Sequence, residues 1–432
     1  MSAELAPAGP PTPVGADGGT RRFVLVLLAI TAIALTGRVV WIVTVARYDG
    51  RFYDSYIYLG VSESIADGRG FQTPLIGTPD ASHPPLAALS IVPASAMTDL
   101  TRGYIAQRVT MAVLGAFSVA AIGLLGRAVA GSRVGLIAAG LAAIYPNIWL
   151  ANSVVMSETL VILIMALALL ATYRFLRQPT WWSAAAIGVL CGLAALARAE
   201  LLLLVPMLLL PAALVVKPVP RRAQVAFLSI GVVACGLVVA PWVVRNLVTF
   251  QEPTFLSTGD GTALLSTNCD ETYYGHNIGL SELPCTYVVP PSRDPSVSSA
   301  RQRAIAIDYI GDHLSRLPVV IGVRVLRMWD LFRPVQGVDL NTVEGRPKEA
   351  GLAGLAMYYV LVPLTIGGVV VLRRRRITTW PLIVPLALAT VIAVTTQGAV
   401  RYRAPAEVAL VVLGAVAVDA LWNRAIGVGA RG

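Results

Sequence analysis

The stretch FYDSYIYLGVSESIADGRGF, at positions 52–71, directly follows the first long apolar run of the chain. Apolar side chains recur in it at every fourth residue, which aligns them along one side of a helix. They are Tyr53, Ile57, Val61 and Ile65. Asp54, Tyr58 and Ser62 form a neighbouring polar stripe, and Gly68 stands where glycine commonly ends a helix. The pattern predicts a short helix outside the membrane with a carboxylate at its start.

The composition of the chain is that of a membrane protein. Of its 432 residues, 56% are hydrophobic and 13% are charged, whereas soluble domains carry about 25% charged residues. Apolar runs long enough to cross about 30 Å of hydrocarbon recur along the chain. The net charge of +10 does not indicate nucleic-acid binding, because basic residues in such proteins mark cytoplasmic loops. We predict an all-α polytopic membrane protein with no nucleic-acid partner.

About ten membrane spans are predicted from these runs. They lie at roughly 23–46, 104–127, 133–151, 157–174, 181–198, 200–216, 223–246, 353–372, 378–396 and 404–422. Basic clusters fall at alternate ends of the spans, which by the positive-inside rule places both termini in the cytoplasm. These clusters are Arg21–Arg22, Arg127 with Arg133, Arg174 with Arg177, Lys217 with Arg221–Arg222, and 373–376. This orientation requires that 310–333, with four arginines, lies on the outer face as an amphipathic helix.

Four regions follow from this topology. Residues 1–22 are rich in proline and poor in apolar residues, which predicts a disordered cytoplasmic tail. Residues 23–250 are predicted to form a transmembrane module in which any catalytic site would be built, and its first extracytoplasmic loop covers 47–103. Residues 251–352 form a second extracytoplasmic region, and 353–432 form the last membrane helices with a short cytoplasmic tail.

Five arginines lie at membrane depth or at the outer ends of spans, where basic residues are costly. They are Arg38, Arg198, Arg245, Arg401 and Arg403. Each one alone is explained equally well by snorkelling to lipid head groups or by an ion pair. As a set they favour a shared anionic ligand, and a lipid phosphate matches the fork of a guanidinium group.

The four cysteines form two pairs with different surroundings. Cys191 and Cys235 lie in apolar segments, where a thiol acts as a small core hydrophobe. Cys269 and Cys285 flank a polar loop on the predicted outer side. An oxidising outer compartment favours a disulfide between them, and the alternative is two free thiols.

Four further motifs follow the opening stretch along the chain. They are SHPPLAAL at 82–89, YPNIWLANSVVMSETL at 145–160, GLAALARAELLLLVP at 192–206 and RYRAPAE at 401–407. Together these stretches resemble the landmarks of the GT-C superfamily, the membrane glycosyltransferases that use polyprenyl-phosphate sugars. The nearest branch holds bacterial protein O-mannosyltransferases and the aminoarabinose transferase of lipid A. The resemblance covers 47–422.

The resemblance implies an inverting glycosyltransferase of the cell envelope, with its active site on the extracytoplasmic side of the cell membrane. It would move a hexose or a pentose from a polyprenyl-phosphate donor to a hydroxyl of a lipid, glycan or protein. Asp54 takes the acidic position of the family, and His83 stands where relatives carry Lys or His. Ser55 replaces a second acid that relatives often carry. No certain cofactor is therefore indicated. A role for a divalent metal is neither indicated nor excluded by these residues.

The chemistry of this transfer agrees with such a site. The phosphate leaving group is already a stable anion, so it needs no general acid. The acceptor hydroxyl must lose its proton, which one nearby carboxylate can accept, and positive side chains stabilise the departing phosphate. We assign the base to Asp54. Binding of the donor phosphate or substrate is assigned to His83, Glu158, Arg198, Arg245, Arg401 and Arg403.

Other interpretations of the same residues stay open at this level. Asp54 is also a typical acid of a helix N-terminus, Glu158 a typical capping acid, and His83 a turn residue before two prolines. The alternative functions are a lipid or solute transporter or flippase, and a scaffold protein of the envelope. Convergence of Asp54, His83 and the outer arginines on one cavity favours the transferase. A central aqueous pathway with charges near the midplane favours the transporter.

Overall fold

The computed structural model describes residues 16–46, 53–74, 76–97, 100–425 and 427. This part of the chain is helical and contains no β-strand, which confirms the predicted fold class. The helices are α1 (Ala16–Thr44), α2 (Tyr53–Ala66), α3 (Leu86–Ser95), α4 (Leu100–Ala130), α5 (Ser132–Ile144), α6 (Pro146–Ser153), α7 (Glu158–Arg177), α8 (Trp181–Ala197), α9 (Leu210–Val215), α10 (Arg221–Thr249), α11 (Asp260–Ser266), α12 (Asp270–Tyr273), α13 (Pro295–Asp312), α14 (Leu317–Met328), α15 (Pro334–Asn341), α16 (Lys348–Arg374), α17 (Trp380–Thr395) and α18 (Ala404–Ala425). Short 3₁₀ or π segments lie at Ala199–Leu203, Val205–Leu209, Leu283–Val288, Thr342–Glu344 and Val400–Arg403.

Each predicted span falls on apolar helical structure. Among the described residues, six helices are long and apolar enough to cross a membrane. A seventh crossing results if α5 and α6, which meet at an angle of 51°, form one bent span. The remaining three predicted spans coincide with shorter apolar segments at Trp181–Ala197, Ala199–Val215 and Trp380–Thr395. The protein is a multi-pass membrane protein.

The structure corrects the predicted N-terminal boundary. Helix α1 begins at Ala16, so 16–22 are helical and not disordered. The long apolar run starts only at Phe23. A membrane helix can nevertheless extend past the hydrocarbon, because long basic side chains reach the lipid head groups. The rest of the predicted tail, 1–15, lies outside the described residues, as do 47–52 of the first outer loop.

The region 310–333 is also organised differently from the prediction. It contains no candidate span, but it is not one continuous surface helix, because α14 begins anew with Pro318 in its first turn. Arg324 and Arg327 are only 2% and 3% exposed. They donate hydrogen bonds to carbonyl oxygens of the preceding outer region, at Thr267 and Ile278. The two arginines therefore hold that region onto α14 and do not face lipid head groups.

Helix α18 lies at the centre of the bundle. In the most apolar 18 residues of α18, 83% are buried inside the protein, whereas the corresponding share is 22% in α1 and in α10. It packs on α5, α7, α16 and α17. Glycine permits the close approach of α16, because a Cβ atom on Gly368 would lie 2.1 Å from the carbonyl oxygen of Leu413. Side chains at the first turn of α18 are therefore surrounded by several other helices.

Basic loops meet at one end of the bundle. Arg133 lies in the first turn of α5 and Arg375 directly follows α16, yet they lie 3.2 and 3.9 Å from the same buried carboxylate, Asp419. Arg127 lies over the ring of Phe23 on α1, with its Cζ atom 4.5 Å from the ring centre. Asp419 belongs to the last turns of α18, so the first turn of that helix lies at the opposite end.

Impermeant thiol labelling of intact cells tests which end faces outward. Single cysteines at Ile76 and Ala304, both exposed and both on the predicted outer side, should react. A cysteine at Thr378, which is exposed beside the basic loops, should react only after the cells are opened. The unsubstituted chain is the control. Labelling at all three positions, or the inverse pattern, contradicts the orientation.

The region 251–352 has a small apolar cluster of its own. The cluster consists of Leu265 of α11, Val289 and Ala306 of α13. Val289 directly follows the 3₁₀ segment Leu283–Val288. A bond between the sulfur atoms of Cys269 and Cys285 closes the loop beside it, with the two Cα atoms 6.4 Å apart. Helices and a cross-link thus give this region a defined shape.

The disulfide should be present in the purified protein. By loop-closure entropy, a cross-link between residues 16 positions apart stabilises the fold by about 3 kcal/mol. Alkylation in denaturant without reductant, followed by mass spectrometry, should leave Cys269 and Cys285 unmodified. The free, buried thiols of Cys191 and Cys235 should be alkylated in the same sample and serve as the internal control. Alkylation of all four cysteines disproves the bond.

Candidate active site

Helix α2 presents Asp54 in its first turn. Nη1 of Arg401 donates a hydrogen bond to Oδ2 of Asp54 at 2.7 Å, and Nε2 of His83 lies 3.5 Å from Oδ1. Each carboxylate oxygen thus faces a basic side chain. The Asp54 side chain is still 25% exposed, so a substrate can reach it.

The polar stripe of α2 turns into the protein. Tyr58 and Ser62 are 3% and 0% exposed. The hydroxyl oxygen of Ser62 lies 2.6 Å from that of Ser95 on α3, and the Tyr58 ring centre lies 4.9 Å from that of His83. Asp54 begins the same stripe, and it is therefore directed toward the ends of the membrane helices.

The pKa of Asp54 lies well below its ordinary value. Burial alone would raise this pKa, but the interactions of Asp54 with Arg401, His83 and Arg198 lower it by more. The carboxyl group is therefore ionised at physiological pH. A carboxylate with so low a pKa is a weak proton acceptor, so Asp54 can act as a base only if its surroundings change when substrate binds.

Arg401 connects Asp54 to a second carboxylate. Its Nη1 atom also donates to Oε1 of Glu344 at 2.8 Å, so one nitrogen lies between two acids. Arg401 belongs to the 3₁₀ segment that leads into α18, which places it at the N-terminal end of the central helix. Glu344 was not predicted from the sequence, because no motif or periodic pattern marks its segment.

Arg198 approaches the same place from the end of α8. Its Cζ atom lies 4.0 Å from the ring centre of Tyr402, and the Cζ atom of Arg401 lies 5.3 Å from the same ring. Both distances are within the range of cation–π attraction. Arg198 also pairs with Glu158 at 3.1 Å and Glu200 at 2.6 Å. The structure thus brings together five predicted site residues, which are Asp54, His83, Glu158, Arg198 and Arg401.

Arg403 lies deeper than these residues. It is fully buried, and it pairs with Glu407 and Asp330 at 2.8 Å each. Its Cζ atom lies 3.7 Å from the ring centre of Tyr358. Because Arg403 has no exposed surface, we do not carry it into the phosphate site.

Arg245 and Arg38 have partners of their own. Arg245 donates hydrogen bonds to the carbonyl oxygens of Asp80 at 2.9 Å and Phe71 at 3.2 Å, and so it fixes the loop that carries His83. Arg38 is 4% exposed and donates to Oδ1 of Asn152 at 2.9 Å. The expectation of one cluster of five arginines is corrected accordingly. Arg245 binds carbonyl oxygens, Arg38 binds an amide oxygen, and Arg403 binds buried carboxylates. Arg198 and Arg401 lie beside Asp54.

A cavity adjoins Arg401. Helices α6, α7, α15, α16 and α18 contribute to its walls. Its charged lining residues are Glu158, Asp330, Arg346, Arg401 and Glu407. Glu158 and Arg401 are the two of these that were assigned to the site from the sequence.

The residues around Asp54 do not fit a divalent metal ion. Such an ion takes several oxygen ligands, whereas both oxygens of Asp54 face basic groups. The neighbouring acid, Glu344, shares Arg401 with Asp54, so a guanidinium nitrogen takes the place between the two carboxylates. In the part of the chain that the structure describes, no three His, Cys, Asp or Glu side chains are grouped to hold a metal.

Comparison with known proteins gives one family and several related structures. Residues 82–244 match the family described as dolichyl-phosphate-mannose-protein mannosyltransferase. No protein of curated function matches the chain in sequence.

The solved structures that this chain resembles have low sequence identity to it. The archaeal oligosaccharyltransferase AglB from Archaeoglobus fulgidus, in complex with an inhibitory peptide and a dolichol-phosphate, has a TM-score of 0.54 and 16% identity over 94% of this chain and 52% of its own. The Archaeoglobus fulgidus oligosaccharyltransferase complex with Zn and sulfate has a TM-score of 0.51 and 15% identity, over 92% and 49%. ArnT from Cupriavidus metallidurans, bound to undecaprenyl phosphate, has a TM-score of 0.45 and 15% identity, over 95% and 80%. The chain spans about half the length of the oligosaccharyltransferase.

Proposed function

We propose that this chain, which has the fold of the GT-C membrane glycosyltransferases, transfers a sugar from a polyprenyl-phosphate donor to an acceptor hydroxyl. The resemblance predicted from the sequence motifs is confirmed for the fold. The contact between Asp54 and Arg401 at 2.7 Å carries the proposal. A base and a phosphate ligand must both lie near the anomeric carbon, because the acceptor attacks the carbon that the phosphate leaves.

A lipid-linked donor is supported by the comparisons and by the charges of the site. The matched family is described by its dolichyl-phosphate-mannose substrate, and the AglB structure contains a dolichol-phosphate. In this chain Arg401 and Arg198 supply two guanidinium groups beside Asp54. Guanidinium groups bind phosphate oxygens through charge-assisted hydrogen bonds. We assign the donor phosphate to these two arginines.

Donor binding raises the pKa of Asp54 in this mechanism. Among the charges that lower this pKa, that of Arg401 contributes most. A phosphodiester carries one negative charge, so its contact with Arg401 offsets the guanidinium charge that Asp54 experiences. The carboxylate thereby becomes a stronger base when the donor is in place, and it stays ionised and weakly basic in the free protein.

The transfer itself is a single displacement. The acceptor oxygen bonds to the anomeric carbon, the bond from that carbon to the phosphate oxygen breaks, and the hydroxyl proton passes to Asp54. Polyprenyl phosphate leaves with the bonding electron pair, and Arg198 and Arg401 stabilise its added charge. One displacement inverts the anomeric configuration. A retaining reaction would need a carboxylate nucleophile as well.

The site is proposed to face the extracytoplasmic side. Asp54, His83, Arg198 and Arg401 lie at the end of the bundle opposite the basic loops around Asp419. The positive-inside rule assigns those loops to the cytoplasm. A transporter would instead concentrate its charges near the membrane midplane.

Product analysis tests the proposed function. Purified protein is incubated with a panel of polyprenyl-phosphate sugars and with lipid, glycan and peptide acceptors. The expected products are polyprenyl phosphate and a glycosylated acceptor of inverted configuration. Movement of the intact donor across a vesicle membrane without cleavage of its sugar–phosphate bond would support the flippase instead.

A further inference from the structure

Glu344 accepts from the same guanidinium nitrogen as Asp54. Nη1 of Arg401 lies 2.8 Å from Oε1 of Glu344 and 2.7 Å from Oδ2 of Asp54. Glu344 ends the 3₁₀ segment Thr342–Glu344, which connects α15 to α16, and its side chain is 19% exposed. The proposed displacement uses Asp54 and Arg401 but gives Glu344 no part, so the presence of a second acid on Arg401 needs its own explanation.

The charges around the proposed phosphate position oppose the binding of a further anion. In the described part of the chain, Arg198 and Arg401 each pair with two carboxylates. The four acids are Glu158, Glu200, Asp54 and Glu344. A phosphate that binds Arg401 therefore competes with a carboxylate that is already there. Of the two acids on Arg401, Asp54 must stay beside the acceptor, so Glu344 is the one that gives way.

Arg346 offers Glu344 an alternative partner. Nη2 of Arg346 lies 3.7 Å from Oε2 of Glu344, which is within ion-pair range but longer than a hydrogen bond. Among the described residues, neither of these two atoms has a hydrogen-bond partner. A small rotation of the Glu344 side chain would close this pair and open the pair with Arg401. No membrane helix has to move for the exchange.

The two lipid phosphates of the reaction differ in charge. The donor is a phosphodiester with one negative charge, whereas polyprenyl phosphate is a phosphomonoester with about 1.5 to 2 negative charges at pH 7. Arginine side chains hold the monoester more tightly, because ionised acceptors form the stronger hydrogen bonds. Transfer thus leaves a product that is bound more firmly than the substrate. The next cycle needs a group that takes Arg401 back from it.

We propose that Glu344 competes with the lipid phosphate for Arg401 and thereby speeds the release of the polyprenyl phosphate product. The inference rests on the proposed function. Glu344 pairs with Arg346 while a lipid phosphate occupies Arg401, and it returns to Arg401 as the phosphate leaves. Because the chain holds this carboxylate beside Arg401, it competes at a high effective concentration.

Glu344→Gln should bind polyprenyl phosphate about tenfold more tightly, because the glutamine amide has no charge with which to compete for Arg401. Equilibrium binding to the purified protein measures the dissociation constant. Inhibition of sugar transfer by added polyprenyl phosphate should strengthen by the same factor. The first turnover with bound donor should keep its rate, since product release follows it. A purely structural role for Glu344 predicts weaker binding and a slower first turnover.

Asp339→Asn is the matched control. Asp339 lies on α15, its side chain is 48% exposed, and it pairs with Lys348 at the surface. This variant also loses one negative charge, but it should bind polyprenyl phosphate as the unsubstituted chain does. Unchanged or weaker binding by Glu344→Gln overturns the proposal. An equal gain in Asp339→Asn also overturns it, because the gain would then report net charge alone.

Arg346→Gln tests the exchange of partners. Without Arg346, Glu344 stays on Arg401, so the affinity for polyprenyl phosphate should fall about tenfold. In a chain that already carries Glu344→Gln, the same change should have little effect, because the competing carboxylate is gone. An equal loss in both backgrounds would make Arg346 a direct phosphate ligand and overturn the proposal. Absence of both lipid binding and sugar transfer in the unsubstituted chain would overturn the proposed function instead.

Discussion

Asp54→Asn is expected to lower the rate of sugar transfer by about 100- to 10,000-fold, which is the usual contribution of a general base. Asparagine keeps the shape of aspartate but cannot accept the proton of the acceptor hydroxyl. Donor binding should persist, because Arg198 and Arg401 remain. Transfer from the polyprenyl-phosphate sugar by purified protein measures the rate, and competition with bare polyprenyl phosphate measures donor binding in the same preparation.

Asp67→Asn is the matched control for this variant. Asp67 follows the same helix, its side chain is 62% exposed, and it pairs with Arg69 at the surface. The control should retain nearly full activity. Asp80 is unsuitable as a control because it is 5% exposed and lies near His83. Near-normal transfer by Asp54→Asn would move the base to another carboxylate, and Glu158 and Glu344 would be the next candidates.

The membrane helices were predictable because their signal is local. A run of apolar residues identifies a span without knowledge of its neighbours. The irregular segment 199–215 was not predictable in this way. It is divided into a 3₁₀, a π and an α segment, and its prolines, Pro206 and Pro211, lack the N–H groups that a regular helix uses. Whether such residues bend, break or continue a helix depends on the helices packed around them.

The site was predictable in its members but not in its contacts. Asp54 and Arg401 are 347 positions apart, so their contact depends on how helices from both ends of the chain pack together. The motif alone did not predict that Arg401 and Arg403 have different environments, because the two arginines stand only two residues apart in it. In a 3₁₀ segment successive side chains are about 120° apart, so these two arginines point in different directions. Arg401 reaches Asp54, and Arg403 turns into the protein.

Arg401→Gln should raise the KM for the donor by about 10- to 100-fold, because charge-assisted hydrogen bonds to the phosphate are lost. It should also move the acidic limb of the pH profile of kcat/KM, which reports the pKa of the free enzyme, to higher pH. The charge of Arg401 lowers the pKa of Asp54, so its removal raises that pKa. Activity requires ionised Asp54 and is lost as pH falls through its pKa. The variant therefore loses activity at a higher pH than the native chain does.

Arg401→Lys separates these two effects. Lysine keeps the positive charge beside Asp54, so the acidic limb should stay near its native position. It lacks the two-pronged geometry that matches phosphate oxygens, so donor affinity should still fall. Measurement of KM and of the pH profile for both variants distinguishes the two roles. An unaltered donor dependence in Arg401→Gln would place the phosphate elsewhere, and a shifted limb in Arg401→Lys would contradict the charge argument.

Arg403→Gln completes this prediction, because it removes the same charge only two positions away. Arg403 is fully buried between Glu407 and Asp330, and removing one partner of a buried ion pair costs about 3–5 kcal/mol of stability. The thermal stability of the detergent-solubilised protein should therefore fall, whereas the donor affinity of the fraction that remains folded should not change. Arg401 is 16% exposed, so Arg401→Gln should keep its thermal stability and lose donor affinity. If Arg403→Gln instead keeps its stability and loses donor affinity, the phosphate site includes both arginines of the RYRAPAE motif.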